Sequence, residues 1–364
     1  MANSNLGAAK KAKSDEFYTQ YHDIEKEMNA YLDYDKDVFK DKTILLPCDD
    51  PEWSNFTKYF AQNFARLGLR KLISTSYAPN SKPEEINYQP TLFEVEDPKF
   101  DLDKTRSKGK IFTLERDLNG DRKIDVNDIE WEYLEGDGDF RSKEITALRD
   151  SSDIIVTNPP FSLFREFLAW LLESNKSFAI IGNLNAITYK EVFPHIRANY
   201  FWLGATINSG DREFRVPDSY PLQAAGWRID EAGAKYIRVK GVRWYTNLDH
   251  GRRHEPLRLM TMEDNIRFSK HKVVRGSKYK KYDNYDAIDV GFTDAIPSDY
   301  DQVMGVPISF LDKYSPDQFE ILGMAASSYD AFMVGIPFKG DKDGRPLIDG
   351  ANTYARIMIR HKRR

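Results

Sequence analysis

Residues 158–161 read Asn158-Pro159-Pro160-Phe161, and their types suit one kind of chemistry. An amide oxygen and a proline carbonyl are two hydrogen-bond acceptors, enough to take both hydrogens of a planar amino-bearing group. Phe161 adds a ring face for stacking. Residues 153–157 (Asp-Ile-Ile-Val-Thr) form a short apolar, β-branched run, which predicts a buried strand. Two prolines then stop its ladder, because neither donates a backbone hydrogen bond. Asn158 is thereby expected at the carboxyl end of a strand, the edge where open α/β sheets collect ligands. Leu163, Phe164, Phe167, Leu168 and Leu171 follow at helical spacing and predict an amphipathic helix.

The elements that must position this turn are legible as an alternation. A helix is expected over residues 14–34, capped by Ser14, and an apolar strand over residues 43–48. Ser54 can cap a second helix with apolar positions Phe56, Tyr59, Phe60, Phe64 and Leu67, which Gly68 ends. Strands are expected at residues 72–77, 153–157, 177–182 and 200–204, with a helix at 188–198. This pattern implies an α/β fold with a doubly wound, mostly parallel sheet. Residues 78–150 interrupt it as an acidic insertion in which 110–116 and 129–134 are expected to pair as a hairpin. After about residue 205 the helical periodicity fades into short Val/Tyr/Trp segments. The chain therefore reads as two regions, 1–205 and 206–364.

The 364 residues are 41% hydrophobic and 13% aromatic, enough for a core, and no apolar run approaches a membrane span. Residues 1–13 are small, polar and basic, without the apolar stretch of a signal peptide. A single cysteine, Cys48, excludes an intrachain disulfide and fits a reducing compartment, so a cytoplasmic location is expected. Net charge is -4, yet residues 238–281 hold 13 Lys and Arg against 4 Asp and Glu, and residues 81–150 hold 12 against 19. A basic stretch on an acidic chain is the footprint of a phosphate-bearing partner, or else a solvated face.

Four further stretches accompany the proline turn: residues 15–20 (Asp-Glu-Phe-Tyr-Thr-Gln), Pro47-Cys48-Asp49-Asp50-Pro51, Gly136-Asp137-Gly138-Asp139-Phe140, and the strand end 180–186. Together these residues resemble the motif set of S-adenosylmethionine-dependent DNA adenine N6-methyltransferases, and in detail the EcoRI-type modification methylases. The resemblance is carried by residues 11–20, Cys48-Asp49-Asp50-Pro51 with Ser54-Asn55-Phe56, residues 136–142 and residues 153–167. It implies a class I methyltransferase-like, Rossmann-like fold with a C-terminal target-recognition region. It also implies base flipping and methyl transfer to adenine in double-stranded DNA.

Carried onto this sequence, the family pattern makes Asn158, Pro159, Pro160 and Phe161 catalytic. Tyr18, Thr19, Cys48, Asp49, Asp50, Asp139, Phe140 and Asn158 would bind the cofactor. Asp139 would accept from the amino group of its adenine and Phe140 would lie against that ring. Two departures stand out: Asp49-Asp50-Pro51-Glu52-Trp53 replaces the usual Gly-x-Gly turn, and residues 72–77 lack the usual ribose-binding acid. For the basic region, Arg238, Arg243, Arg252, Arg253, Lys270, Lys272 and Arg275 are candidates for phosphate or base contacts. A monomer is expected, with a cognate restriction endonuclease as a possible companion. RNA adenine or protein glutamine methylation, and sequence-specific DNA binding without turnover, are the rival readings.

Other signals weigh less. Asp117, Asn119, Asp121, Asp125 and Asp128 fit positions 1, 3, 5, 9 and 12 of a calcium loop, with the Lys123 carbonyl at position 7. Arg122 replaces the usual glycine and the flanks read as hairpin strands, so an acidic hairpin tip is the expectation and no metal is assigned. Cys48 follows a proline, as in cytosine C5-methyltransferases, but lies on the first strand. His250 and His254 lack the further ligands of a zinc site.

Overall fold

The computed structural model describes residues 17–49, 54–78, 98–208, 211–216, 220, 222, 226–327, 336–339 and 343–362. The chain divides into two compact units, Met1–Leu184 with Thr206–Leu248, and Asn185–Ala205 with Asp249–Arg364. Residues 206–248, expected with the C-terminal region, thus belong to the same unit as the proline turn.

The first unit is built, in chain order, from α1 (Tyr21–Tyr34), β1 (Thr43–Leu46), α2 (Asn55–Gln62), β2 (Lys71–Ser76), β3 (Lys110–Leu114) and β4 (Glu130–Tyr133). Next come α3 (Lys143–Ser151), β5 (Ile154–Thr157), α4 (Phe164–Leu172), β6 (Ser177–Asn183), β7 (Asp211–Val216), β8 (Trp227–Ile229), β9 (Lys235–Lys240) and β10 (Val242–Thr246). In the central sheet these strands run β4-β3-β2-β1-β5-β6-β10. The middle four are parallel, while β3, β4 and β10 join antiparallel at the edges. The hairpin expected in the acidic segment exists and extends the sheet at the β2 edge. Strand order reverses between β1 and β5, so the switch point of the fold lies at their carboxyl ends.

The parallel strands read as near-continuous aliphatic runs because helices cover both faces. Every residue of β1 and β5 is buried. Phe56, Tyr59 and Phe60 of α2 pack into the core, with Phe56 meeting the fully buried Trp244 edge-on at 5.9 Å. On the other helix layer Phe140, Phe167 and Trp170 stack among themselves at 5.1–5.6 Å. A second, three-stranded antiparallel sheet in the order β7-β9-β8 buries Phe214, Val216, Ile237 and Val239. The helix expected from residue 14 begins at Tyr21 instead, because Tyr18 is extended and exchanges both backbone hydrogen bonds with Arg215 of β7 (2.9 and 3.1 Å).

The second unit contains α5 (Phe193–Arg197), α6 (Met262–Phe268) and a four-stranded sheet that includes β11 (Met304–Val306), β12 (Phe319–Ala325) and β13 (Arg356–His361). The helix expected over residues 188–198 contracts to α5, behind a single-turn segment at Leu184–Thr188.

One loop in the first unit carries a stability prediction. The 136–139 loop docks on the end of β2: Ala78 N–H donates to the Asp137 carbonyl at 2.7 Å, and Gly109 N–H to Gly136 at 3.0 Å. Gly138 sits at φ +88°, and a Cβ there would run into the Ser76 carbonyl oxygen. Gly138→Ala therefore combines left-handed strain with a backbone clash and is expected to cost about 3 kcal/mol, read as a lower urea midpoint at unchanged slope. A midpoint within experimental error of wild type would refute the packing described.

Candidate active site

Asp49 organises the switch point. It follows β1, its side chain is 6% exposed, and its two carboxylate oxygens are both taken. Oδ1 accepts from Ser54 Oγ and Oδ2 from Thr157 Oγ1, each at 2.6 Å. Ser54 in turn caps α2, accepting from Phe56 N–H at 3.0 Å. The Asp49 carbonyl accepts from Ser74 and Thr57 hydroxyls. One buried carboxylate thus ties the end of β1, the start of α2 and the last residue of β5 into a single unit. Because Thr157 precedes Asn158, the clamp also fixes where the proline turn begins.

Asn158 is oriented just beyond. Its Nδ2 donates to the Phe17 carbonyl, while its Oδ1 is buried and has no hydrogen-bond partner among the described residues. Buried polar atoms are nearly always satisfied, so this open acceptor at a strand end can take a donor from water or a ligand. The Pro160 carbonyl is occupied by Leu163 N–H at 3.0 Å, whereas no donor among the described residues reaches the Pro159 carbonyl. Phe161 is partly buried, with its ring 5.5 Å from Phe17 and 6.5 Å from Phe214.

The strip 17–20 lies across these strand ends and is tethered at three points. Asn158 holds residue 17, Arg215 holds residue 18, and Asn55 Nδ2 donates to the Thr19 carbonyl at 2.7 Å. Thr19 is 4% exposed and its Oγ1 is a second buried atom without a partner among the described residues. Tyr18 and Thr19 thus join Asn158 and Asp49 in one place, in line with the motif order. Cys48 is half-buried next to them, and Asp50 lies outside the described residues.

The Gly136–Phe140 stretch behaves differently from the expectation. Asp139 is chelated by Arg141: Nε donates to Oδ1 at 2.9 Å and Nη2 to Oδ2 at 2.6 Å, while Nη1 reaches Glu166 at 2.8 Å. The Arg141 hydrogen bond holds the Asp139 carboxyl below its ordinary value, so it is ionised at neutral pH. Phe140 is 4% exposed and turns into the core against Phe167 and Trp170, so its ring is not a free stacking face. An aromatic after a polar loop reads the same in sequence whether it faces a ligand or the core.

Sequence reasoning missed Phe214 and Tyr220, which complete the aromatic wall around Phe17 with centroid distances of 5.9 and 6.1 Å. It also missed the linking hydroxyls of Ser54 and Thr157. The signal for the hydroxyls was the Asp-plus-N-cap spacing; for Phe214 there was none.

The basic candidates divide by burial. Arg243 is 4% exposed, with Nη1 on its neighbour's carbonyl and Nη2 on the Asn208 carbonyl at 2.8 Å. Arg253 is 6% exposed, lying 3.7 Å from the Trp202 ring centroid and bonded to Asn199 and Asp249. Both brace the fold and neither presents its charge outward. Arg238 is exposed on β9. Arg252 spends Nη1 on the Ala205 carbonyl and lines a hollow with Arg258 and Lys313. Lys270 pairs with Asp294 at 2.6 Å, and Lys272 and Arg275 are exposed. In the hairpin tip, Asp117, Asn119, Asp121 and Asp128 accept from the loop's own backbone N–H groups.

His254, next in sequence to Arg253, bridges Asp317 (Nδ1, 2.9 Å) and Asp249 (Nε2, 3.0 Å), so both ring nitrogens donate. The Asp317 and Asp249 hydrogen bonds raise its pKa above the ordinary histidine value. The stabilisation is fully present below the unfolded pKa and is lost as pH rises through the folded one. Melting temperatures of wild type and His254→Gln should therefore differ most below the ordinary histidine value of 6.5 and draw together as pH rises above it. A difference that grew with pH would contradict the bridge.

A large, mostly parallel central sheet with a buried amide acceptor at its switch point is consistent with an enzyme of the methyltransferase class. The match to known proteins agrees: the family model described as adenine-specific methyltransferase EcoRI covers residues 5–362. The chain belongs to that family and is an adenine-specific methyltransferase. It is 42% identical to the type II methyltransferase M.EcoRI of Escherichia coli, over 99% of this chain and 97% of the relative. It is 30% identical to type II methyltransferase M.MpnI of Mycoplasma pneumoniae, over 97% of each, and 31% identical to M.MgeORF184P of Mycoplasma genitalium, over 98% of each. No solved structure matches the chain. Among the described residues no helix is long and apolar enough to cross a membrane.

Proposed function

We propose that the protein transfers a methyl group from S-adenosylmethionine to N6 of adenine within a specific sequence of double-stranded DNA, with Asn158, Pro159, Pro160 and Phe161 as the catalytic turn. The observation that carries this reading is the orphan Asn158 Oδ1, buried beside an aromatic wall and aimed by the Phe17 carbonyl. Adenine N6 is a poor nucleophile because its lone pair is delocalised into the ring. Asn158 Oδ1 and the Pro159 carbonyl each accept one N6–H, which draws electron density onto nitrogen and favours pyramidal geometry. A preoriented acceptor in a dry site does this without reorganisation. Phe161 stacks on the base once it has left the duplex, since N6 is otherwise inaccessible to the turn.

The residues fit the cofactor. Thr19 Oγ1, the second orphan atom, and the extended strip 17–20 face the same strand ends as Asn158. Tyr18, Thr19, Cys48 and Asp50 would hold S-adenosylmethionine there, with Asp49 shaping the site from beneath and Asp139 reached only where Arg141 yields. The bound cofactor supplies a methyl already activated by its sulfonium, so the protein's task is alignment rather than covalent catalysis. The type II methyltransferase names of the relatives support a DNA substrate; a monomer that methylates each strand in turn, a companion endonuclease and a cytoplasmic setting complete the proposal. Exposed Arg238, Lys272 and Arg275 are the best placed of the basic candidates for phosphate, with Arg252 and Lys270 next.

The test offers labelled S-adenosylmethionine with duplex DNA, RNA and bulk protein in parallel, and titrates the cofactor alone by calorimetry. Label confined to DNA, with saturable cofactor binding, is the expected outcome. Label in RNA or protein instead, or DNA binding without cofactor binding, would replace the proposal with a rival.

A further inference from the structure

We infer that Trp227, with Ile229 beside it, is a DNA-contacting positioning residue that meets the base stack next to the extruded adenine. The inference rests on the DNA reading above and on strand register. In the small sheet, Phe214 of β7 lies opposite Ile237 of β9, and Ile237 lies opposite Trp227 of β8. Directly opposed residues project from the same face, so these three side chains form one row. Its first member, Phe214, is the ring that packs against Phe161 of the catalytic turn and against Phe17.

Burial falls off abruptly along that row. Phe214 and Ile237 are 1% and 2% exposed, whereas Trp227 and Ile229 are each 50% exposed. A large indole on the core-facing side of a sheet, left half in water at the edge strand, is an anchor without its partner. The partner's chemistry is set by the surroundings. Between them, Arg228 points to the opposite face, where it stacks over Tyr236 at 4.0 Å and forks onto Glu213 at 2.9 and 2.5 Å. On the middle strand Lys235 shares the Trp227 face, opposite Ile229, whereas Arg238 and Lys240 share the other face with Arg228, opposite Glu213 and Asp211 of β7. On the DNA reading, an exposed indole with Lys235 on its own face suits stacked bases beside a phosphate.

Distance makes one duplex sufficient. Two strand spacings, roughly 10 Å, separate Trp227 from Phe214, whose ring lies 6.5 Å from Phe161, so the reach from the turn to Trp227 is at most about five base steps of ~3.4 Å. A duplex that delivers adenine to the turn therefore brings its neighbouring bases to Trp227. Stacking on the indole replaces the stacking that those bases give up when the adenine leaves, and it holds the gap open while the base is bound.

Two measurements on the full-length protein test this. Duplex DNA synthesised with 5-bromodeoxyuridine in place of thymidine is irradiated with the protein, and crosslinked peptides are identified by mass spectrometry. The peptide containing Trp227 is expected among them. Steady-state methylation of unmodified duplex is then compared for wild type, Trp227→Ala and Trp227→Phe. The alanine variant should lose at least tenfold in kcat/KM for DNA, with S-adenosylmethionine affinity and melting temperature unchanged, and phenylalanine should restore most of the loss. Absence of the Trp227 peptide from the crosslinks, kcat/KM within twofold of wild type, or a loss that tracks melting temperature and is not rescued by phenylalanine would each overturn the inference. Wild type that methylates no DNA would strike the functional reading itself, a result separable from these.

Discussion

Replacing Asn158 with alanine should abolish most methyl transfer while leaving cofactor binding close to intact. The variant removes the buried Oδ1 that has no partner among the described residues and, with it, the Nδ2 donor to the Phe17 carbonyl. Loss of one preorganised group that stabilises developing charge typically costs 10²–10³-fold in kcat, and here the strip 17–20 also loses a tether, so about 10³-fold is expected. Two tethers survive, at Tyr18 through Arg215 and at Thr19 through Asn55. S-adenosylmethionine affinity should therefore change only severalfold. Single-turnover rates with saturating duplex, set beside calorimetric titration, separate the two effects. A variant that bound cofactor normally and turned over within tenfold of wild type would show that the acceptor is dispensable.

Asp49→Ala should act through stability rather than through chemistry. Both of its carboxylate oxygens are committed to Ser54 and Thr157, and the group is 6% exposed. Hydrogen bonds to a charged group contribute about 1.5–3 kcal/mol each, and removing the acceptor leaves two buried hydroxyls to find other partners. A loss of about 4 kcal/mol is expected, a large share of the roughly 5–15 kcal/mol that holds a typical domain. Urea unfolding of the cofactor-free protein measures it. If Asp49 served mainly as a cofactor ligand, the ligand-free protein would be as stable as wild type and only S-adenosylmethionine affinity would fall.

The parallel centre of the fold was legible because strands covered on both faces write themselves as aliphatic runs, as at residues 43–46 and 154–157. The α2 cap was legible because Ser54 precedes a helical pattern, and the 110–114/130–133 hairpin because acidic turn residues flank two strand-like segments. Non-local pairing was not. Tyr18 is drawn out of the helical pattern by a strand nearly two hundred residues later, and no local propensity announces that exchange. The same pairing brings Arg215, within residues 206–248, to the strip beside the proline turn, although their fading periodicity read as a separate region. Charge misled in the same way: Arg243 and Arg253 count toward a basic stretch in sequence, yet both guanidinium groups are spent on internal acceptors. Asn158 itself was placed correctly, because the strand before it and the prolines after it leave little freedom. What sequence could not supply was which atom of Asn158 is occupied.

On the proposal above, Asn158 offers its buried Oδ1 to the amino group of adenine. The most direct test incubates purified protein with S-adenosylmethionine and unmethylated duplex genomic DNA, digests the DNA to nucleosides and identifies the product by mass spectrometry, with Asn158→Ala alongside. N6-methyldeoxyadenosine is expected from wild type, with a vanishing yield from the variant. Methyl groups on any other base position, or N6-methyldeoxyadenosine formed equally by the variant, would contradict it.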